Sequence, residues 1–168
     1  MRPDRLSESL RAHGSAASAF AAAVEAVAPE AWDRPLGEGR WSPAQIADHL
    51  IRTYDVLLRE VRGAAGMRIR ARSWMRFVLR LMYLRRILRG GWFPAKAPAP
   101  SEIRPAKEDL PDQASAAARF RQRAGEFERA VEERPEARIT HAYFGTLKLA
   151  DGVLFCARHI EHHRAQLI

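Results

Sequence analysis

The stretch Trp41-Ser42-Pro43-Ala44-Gln45-Ile46-Ala47-Asp48-His49-Leu50 contains a complete helix start. Ser42 is a favourable N-cap because its hydroxyl can accept a hydrogen bond from a backbone N–H that has no partner within the helix, and Pro43 fits the first turn. Gln45 stands at the third helical position and completes a capping box. Apolar residues then recur at helical spacing. The stretch therefore predicts a long amphipathic helix that begins near Pro43 and carries His49.

Helical periodicity extends over most of the remaining chain. Apolar residues at intervals of three and four predict helices over residues 4–28, over residues 110–133 and from Leu149 to the C-terminus. No alternating strand pattern is found, and the Asp151-Gly152 pair lies in a helical context, so we expect no sheet. Four long helices in 168 residues predict an all-α protein, a four-helix bundle that forms one domain over residues 1–168.

The net charge of +8 comes from one segment of the chain. Between Glu60 and Glu102 there is no acidic residue, and this segment carries a charge of +10. Its ten basic residues are Arg62, Arg68, Arg70, Arg72, Arg76, Arg80, Arg85, Arg86, Arg89 and Lys96. Since the whole chain carries +8, the remaining residues together carry −2. The basic character therefore belongs to an insert of about residues 63–100 and not to the bundle.

We expect an extra helix over residues 67–89 of this insert, between the second and third bundle helices. Its predicted apolar stripe consists of Trp74, Phe77, Val78, Leu81, Leu84 and Leu88. Such a stripe is usually buried, so we expect it to pack on the bundle or on a partner copy, with a solvated arginine face. The alternative is a basic module that binds nucleic acid or an anionic membrane surface through residues 67–89. We rank binding to nucleic acid and binding to a membrane surface below packing of the stripe within the fold or on a partner copy.

No stretch approaches the ~20 apolar residues that a membrane-spanning helix needs. The small apolar residues from Gly14 to Val24 follow Asp4 and Glu8, which is typical of a first helix and not of a signal peptide. The single cysteine, Cys156, cannot form an internal disulfide. We therefore expect a cytoplasmic protein.

Three histidines have the spacing of a metal site. His159 and His163 are four residues apart in the last helix, so both imidazoles leave the same face. His49, on the apolar side of the second helix, is the candidate third ligand. Three imidazoles leave coordination positions open, which is typical of catalytic zinc sites. Imidazole suits Zn, Ni, Co, Cu and Fe about equally, so the ligands do not choose the metal. The expected cofactor is a divalent ion, Zn or Ni.

The other histidines have no partner at useful spacing. We expect His162 to be more exposed than the pair beside it, and His13 and His141 to lie at the surface or in loops.

The polar residues near the three histidines give weaker indications. Asp48 and Glu161 are expected to be solvated carboxylates, with orientation of a histidine on a neighbouring helix as the alternative. Gln166 is expected near the site face, where it could contact bound water or close the end of the bundle. Trp41 is expected to act as a hydrophobic staple at the helix start.

Two motifs resemble those of the DinB/YfiT-like superfamily. The stretch from Trp41 to Leu50 is similar to its "W-S-P-x-x-(I/V)-x-x-H-L" opening of the second helix. Phe144-Gly145-Thr146-Leu147, followed by Arg158-His159-Ile160-Glu161-His162-His163-Arg164-Ala165-Gln166-Leu167, is similar to its "F-G-x-L…H-x-x-x-H-x-x-Q-(L/I)" ending. The order, the separation and the placement on helices all match.

The resemblance implies a four-helix bundle that holds a divalent metal through His49, His159 and His163. It also implies a metal-dependent hydrolase or an S-transferase that uses a low-molecular-weight thiol such as mycothiol or bacillithiol, and a homodimer. The arginine-rich insert departs from the general pattern and leaves the substrate class open.

The leading hypothesis is thus a metal-dependent enzyme that acts on a small molecule by hydrolysis or thiol transfer, without assigned catalytic residues. Its alternative is a non-catalytic metal-binding or stress-related protein.

Overall fold

Helices dominate the computed structural model, which describes residues 4–94 and 98–168. The elements are α1 (Arg5–Ala26), α2 (Pro43–Val61), α3 (Ser73–Leu79), α4 (Arg85–Gly90), α5 (Gln113–Glu133), β1 (Arg138–His141), β2 (Gly145–Lys148) and α6 (Leu149–Leu167). Helices α1, α2, α5 and α6 form the bundle, which confirms the predicted architecture. Lys96 of the basic segment lies outside the described residues. Among the helices described, none is both long and apolar enough to cross a membrane.

The bundle is closely packed along three of its four sides. Helix α1 packs against α5 and α6, and α2 packs against α5, whereas α2 and α6 make little direct contact. The core between the helices is built around aromatic rings such as Phe20, Phe120 and Phe127, all fully buried. The open seam therefore lies between the two helices that carry the candidate metal ligands.

Three of the four bundle helices begin at polar caps, and the predicted capping box at Ser42 is confirmed. The Ser42 hydroxyl accepts a hydrogen bond from the Gln45 backbone N–H over 3.2 Å, and the Gln45 side chain accepts one from the Ser42 N–H over 3.1 Å. Asp4 and Asp112 cap α1 and α5 through single bonds, because each carboxylate accepts the backbone N–H three residues on. All these bonds satisfy donors that the first helical turn leaves without partners.

The prediction of no strands is wrong, because a short antiparallel hairpin precedes α6. Ile139 pairs with Leu147 and His141 with Gly145. Gly145 has φ of 69°, a left-handed conformation that closes the three-residue loop at little steric cost. Each strand has only four residues. That is too short for an alternating pattern to stand out in the sequence.

The insert contains a continuous helical segment over residues 73–90, here called the accessory helix. It consists of α3, a π-helical turn over Arg80–Leu84, and α4. It begins after Arg72, later than predicted, because the preceding residues are extended and the Arg70 N–H donates to the Ala142 carbonyl over 2.8 Å. The helix packs on the hairpin and on α6.

The predicted buried stripe of the accessory helix is wrong in its first half. Trp74, Phe77 and Leu81 are 65%, 69% and 60% exposed, whereas the packed face is formed by Leu79, Tyr83 and Ile87 with their neighbours. A π-helical turn contains an extra residue, and so it rotates the following residues relative to a regular helix. Counting at 100° per residue through this turn therefore assigns Trp74, Phe77 and Leu81 to the packed face, whereas Leu84 and Leu88 do pack as predicted.

His13, expected at the surface, is completely buried between α1, α2 and α5. Its Nδ1–H donates to a Glu128 carboxylate oxygen over 2.7 Å, and its Nε2 lies within hydrogen-bond distance of the Tyr54 hydroxyl. The three side chains join three bundle helices through one polar chain inside an apolar core. Tyr54 is itself buried, and desolvation raises its pKa well above the ordinary value.

Substitution Tyr54→Phe tests this buried chain. Loss of the hydroxyl leaves His13 Nε2 without a partner, and we expect the free energy of unfolding to fall by about 1–3 kcal/mol. Urea denaturation followed by circular dichroism measures the change. The matched control is Tyr143→Phe, since the Tyr143 hydroxyl reaches the Pro98 carbonyl at the surface and should cost under about 0.5 kcal/mol. Equal losses in the two variants would contradict a special role for the chain.

Candidate metal centre

Three imidazole nitrogens meet in the open seam between α2 and α6. His49 Nε2 lies 3.3 Å from His159 Nε2, and His163 Nε2 lies 3.1 Å from the same atom. Two nitrogens bound to one ion at about 2.0–2.1 Å lie roughly 3.3–3.4 Å apart in tetrahedral and about 2.9 Å apart in octahedral geometry. The observed separations therefore match the coordination sphere of a single ion, and these residues form the metal-ligating cluster of the described part of the chain.

Hydrogen bonds on the far side of two rings decide which nitrogen carries the proton. His49 Nδ1–H donates to the Ile103 carbonyl over 2.6 Å, and His163 Nδ1–H donates to the Gln166 side-chain oxygen over 2.9 Å. Both Nε2 atoms therefore present lone pairs. An Nε2–H on His159 could donate to only one of the two neighbouring nitrogens and would leave the other lone pair without a donor, and with the proton on His159 Nδ1 all three lone pairs converge. A cation bound by all three nitrogens removes that repulsion.

Burial keeps the three rings neutral. Desolvation lowers the pKa of His49 to about 4, and it lowers the pKa of His159 and His163 well below the ordinary histidine value. Repulsion between the neighbouring imidazoles acts in the same direction. A metal binds the deprotonated imidazole nitrogen, and at neutral pH this cluster therefore offers its ligands without proton release.

The connection before α5 supplies the carbonyl that orients His49. Ile103 ends a short 3₁₀ turn, Ser101–Ile103, that packs on α2. Asp48 anchors the chain that follows, because its carboxylate accepts the Ala106 N–H over 2.8 Å and the Arg52 Nε–H over 2.6 Å. Asp48 is thus 7% exposed and not the solvated carboxylate expected from sequence.

The remaining polar residues also have defined places. Glu161 pairs with Arg158 over 2.9 Å at the edge of α6 and does not contact the rings. Gln166 bridges two histidines, since it accepts from His163 and its amide nitrogen lies 3.3 Å from His162 Nε2. His162 is partly buried under Phe93, with ring centroids 4.8 Å apart.

The histidines lie in the wall of a cavity of about 710 Å³. Trp41 packs on His49 with ring centroids 4.9 Å apart, so it covers the ligands as well as the helix start. The other aromatic and aliphatic lining residues include Tyr83, Ile87, Phe93, Phe144 and Phe155. Of the described lining residues, Arg40 alone carries a full charge. The cavity is therefore shaped for a mainly apolar molecule.

His141 belongs to this cavity, although the sequence suggested a loop without function. Its Nδ1 accepts hydrogen bonds from the backbone N–H groups of Tyr143 and Phe144 over 3.2 and 3.3 Å. The ring proton must therefore lie on Nε2, and burial lowers the pKa of His141 to about 4. This neutral ring is a hydrogen-bond donor in the cavity wall. Recognition of the hairpin turn at Gly145 would have placed it there from sequence.

Cys156 also lines the cavity, but burial raises the pKa of its thiol to about 12. The group of side chains whose ligand atoms converge consists of His49, His159 and His163 and does not include Cys156. Imidazole nitrogens with hydrogen-bonded outer partners are typical of zinc and other divalent transition-metal sites. The residues present therefore fit a divalent metal ion.

A four-helix bundle with a three-histidine cluster in one seam defines the structural class of this protein. The sequence profile of the DinB superfamily matches residues 14–167. The chain therefore belongs to the DinB superfamily.

One solved structure extends this comparison across the whole fold. YfiT from Bacillus subtilis, described as a probable metal-dependent hydrolase with an unusual four-helix bundle topology, is similar with a TM-score of 0.58 and 17% sequence identity. The match covers 99% of this chain and 85% of YfiT. At this identity the likeness shows a shared fold. A search of curated protein sequences finds no match.

The cluster predicts stoichiometric binding of a divalent ion. We expect one Zn or Ni ion per chain by elemental analysis, and loss of that ion in His49→Ala, His159→Ala and His163→Ala. Gln166→Leu removes the acceptor of His163 Nδ1–H and should weaken Zn binding about 10- to 100-fold in a chelator competition.

The matched control for these variants is His162→Ala, which removes a neighbouring imidazole outside the cluster and should keep one ion per chain. A His159→Ala protein that still holds one ion per chain would place the ligands elsewhere.

The buried rings also predict acid sensitivity of the metal-free protein. A histidine whose folded pKa is about 4 takes up a proton on unfolding once the pH falls below about 6.5. Stability is therefore complete above about pH 6.5 and is lost as the pH falls towards 4, by about 2 kcal/mol from His49 alone at pH 5. Urea denaturation at pH 7.5 and pH 5 measures this loss. His49→Gln should flatten the profile, and an unchanged slope in that variant would contradict it.

Proposed function

We propose that this protein is a metal-dependent hydrolase of small, mainly apolar molecules. The observation that carries the proposal is the convergence of three imidazole nitrogens, two of them with a defined tautomer, in the wall of an aromatic cavity. Three protein ligands leave coordination positions for a reacting molecule, as in catalytic zinc sites. The DinB membership and the likeness to YfiT support the proposal.

When bound at His49, His159 and His163, a divalent ion supplies Lewis-acid chemistry: it acidifies water and polarises a substrate oxygen. The chain supplies the rest. His141 offers its Nε2–H to an oxygen of the substrate as charge develops there, in the manner of an oxyanion-hole donor. Its low pKa suits this task, because the ring stays neutral and keeps a defined donor. Trp41 and Phe93 restrict water around the ligands.

The lining favours a substrate without a net negative charge. Aromatic side chains from the accessory helix, the hairpin and α6 surround the histidines, and Arg40 is the charged group among the described lining residues. A carboxylate-rich thiol cofactor would need several cationic partners. Arginines of the insert, such as Arg85 and Arg89, do not line this cavity. They line a separate surface hollow. Hydrolysis is therefore preferred to S-transfer with a charged thiol.

Metal dependence of hydrolysis tests the proposal. The protein stripped with a chelator and the protein loaded with Zn or Ni are incubated with a panel of uncharged aryl esters, anilides and aryl phosphotriesters. We expect hydrolysis in the loaded protein, none in the stripped protein, and none in His159→Ala. Hydrolysis that survives stripping would overturn the metal mechanism. Transfer of bacillithiol or mycothiol to an electrophile, without hydrolysis, would assign the S-transferase alternative, and a loaded but inert protein the non-catalytic one.

The His141 variants test the donor role. We expect His141→Ala to lower kcat about 10- to 100-fold with little change in KM, since the donor acts on charge that develops in the transition state. The Zn content should remain one per chain, because His141 is not a ligand. His141→Gln keeps an N–H donor and should recover part of the rate. Loss of Zn in His141→Ala would instead assign a structural role in the centre.

A further inference from the structure

The outer face of the accessory helix carries a ridge of exposed apolar side chains. Trp74, Phe77 and Leu81 are 65%, 69% and 60% exposed, and Val78 and Met82 between them are 40% and 50% exposed. These five residues are here called the apolar ridge. Contiguous apolar groups of this size on a surface mark an interaction site. The opposite face of the same helix already packs on the hairpin and α6, so the ridge is not needed for the fold.

Three arginines continue the ridge toward the C-terminal end of the helix. Arg85, Arg86 and Arg89 surround a hollow next to Trp92, which is 50% exposed. No ion pair or hydrogen bond within the described residues involves these three guanidinium groups. They are here called the arginine cluster. No acidic residue lies between Glu60 and Glu102, so nothing in the insert neutralises the cluster from its own segment.

We propose that the apolar ridge and the arginine cluster dock this protein on an anionic lipid bilayer. Helices that lie in the membrane interface combine Trp, Phe and Leu on one face with Arg or Lys beside them. The aromatic and aliphatic side chains of the ridge enter the boundary between headgroups and acyl chains, and the arginines bind the lipid phosphates. Charge complementarity carries the choice of partner, since the segment between Glu60 and Glu102 carries +10 and the surface of such a bilayer is negative.

Two other occupants fit these observations less well. A second copy packed ridge on ridge would cover the apolar side chains but would offer the arginine cluster no acidic partner from its own insert, because no acidic residue lies between Glu60 and Glu102. Nucleic acid would satisfy the arginines but not Val78, Leu81 and Met82, since aliphatic side chains cannot stack on bases as aromatic ones do. The bilayer is the partner that engages both the ridge and the cluster. Docking on it requires no ion in the histidine cluster and is independent of the proposed hydrolysis.

Vesicle flotation with the full-length protein tests the docking. We expect binding to vesicles of phosphatidylcholine with about a third phosphatidylglycerol, and no binding to phosphatidylcholine alone. The triple variant Arg85→Gln, Arg86→Gln, Arg89→Gln should bind on the order of 100-fold more weakly, at about fivefold for each arginine near the surface. The double variant Trp74→Ser, Phe77→Ser keeps every charge and should lose at least about tenfold, because the apolar contribution is gone.

The matched control removes the same charge from the other side of the molecule. Arg119, Arg129 and Arg134 are exposed on or next to α5, and their replacement by Gln should leave vesicle binding within about threefold of wild type. Thermal unfolding of each variant confirms that the bundle is intact. The proposal is overturned by absence of binding to the anionic vesicles, by equal losses in the two triple variants, or by wild-type binding of the double variant. Tighter binding to a labelled DNA duplex than to the vesicles would assign the surface to nucleic acid instead.

Discussion

The mutual repulsion of three buried, neutral imidazoles is the constraint on which the functional end of this structure depends. Each ring has lost solvent, and two of them have their protons committed to acceptors on the far side. Their remaining nitrogens are held at contact distance with at most one proton between them. Such an arrangement costs free energy in the absence of a cation, because lone pairs face each other in a medium of low dielectric constant. It persists because the surrounding fold determines each ring independently.

Because each histidine ring is oriented by a different part of the fold, the site depends on more of the chain than the two helices that carry the ligands. Helix α6 places two rings one turn apart, which needs only local geometry. The His49 ring needs the carbonyl of Ile103, which lies far along the chain and is held in place by the Asp48 carboxylate and the Ala106 N–H. The hairpin adds His141 with its ring proton on the nitrogen that backbone donors leave free. The bundle therefore supplies the ligands and, through Gln166, the tautomer of His163, whereas the connections between its helices fix the tautomers of His49 and His141.

This division also explains what could be predicted from the sequence. The Ser42 cap and the periodicity of α2 are local, so the helix and the inward position of His49 follow from a few neighbouring residues. The proximity of His49 to the α6 pair was proposed from the apolar face of α2 and from the family resemblance. The tautomers were out of reach, because Ile103 and the hairpin loop meet the rings only in the folded chain. The predicted buried face of the accessory helix was wrong for another reason. Its π-helical turn rotates the residues that follow relative to a regular helix, and no sequence pattern indicates such a turn.

The same π-helical turn gives the accessory helix its two separate roles. With the turn, Leu79, Tyr83 and Ile87 share one face and close the cavity over α6. Trp74, Phe77 and Leu81 lie on the outer side of the same helix and are exposed. The arginine cluster of this helix lies on the outer side of the cavity wall. On the inner side, Arg40 is the charged group among the described lining residues. The outer face of the accessory helix thus carries the arginine cluster, and its inner face lines the cavity that contains the histidines. Substitutions on the outer face can therefore be made without altering the cavity wall.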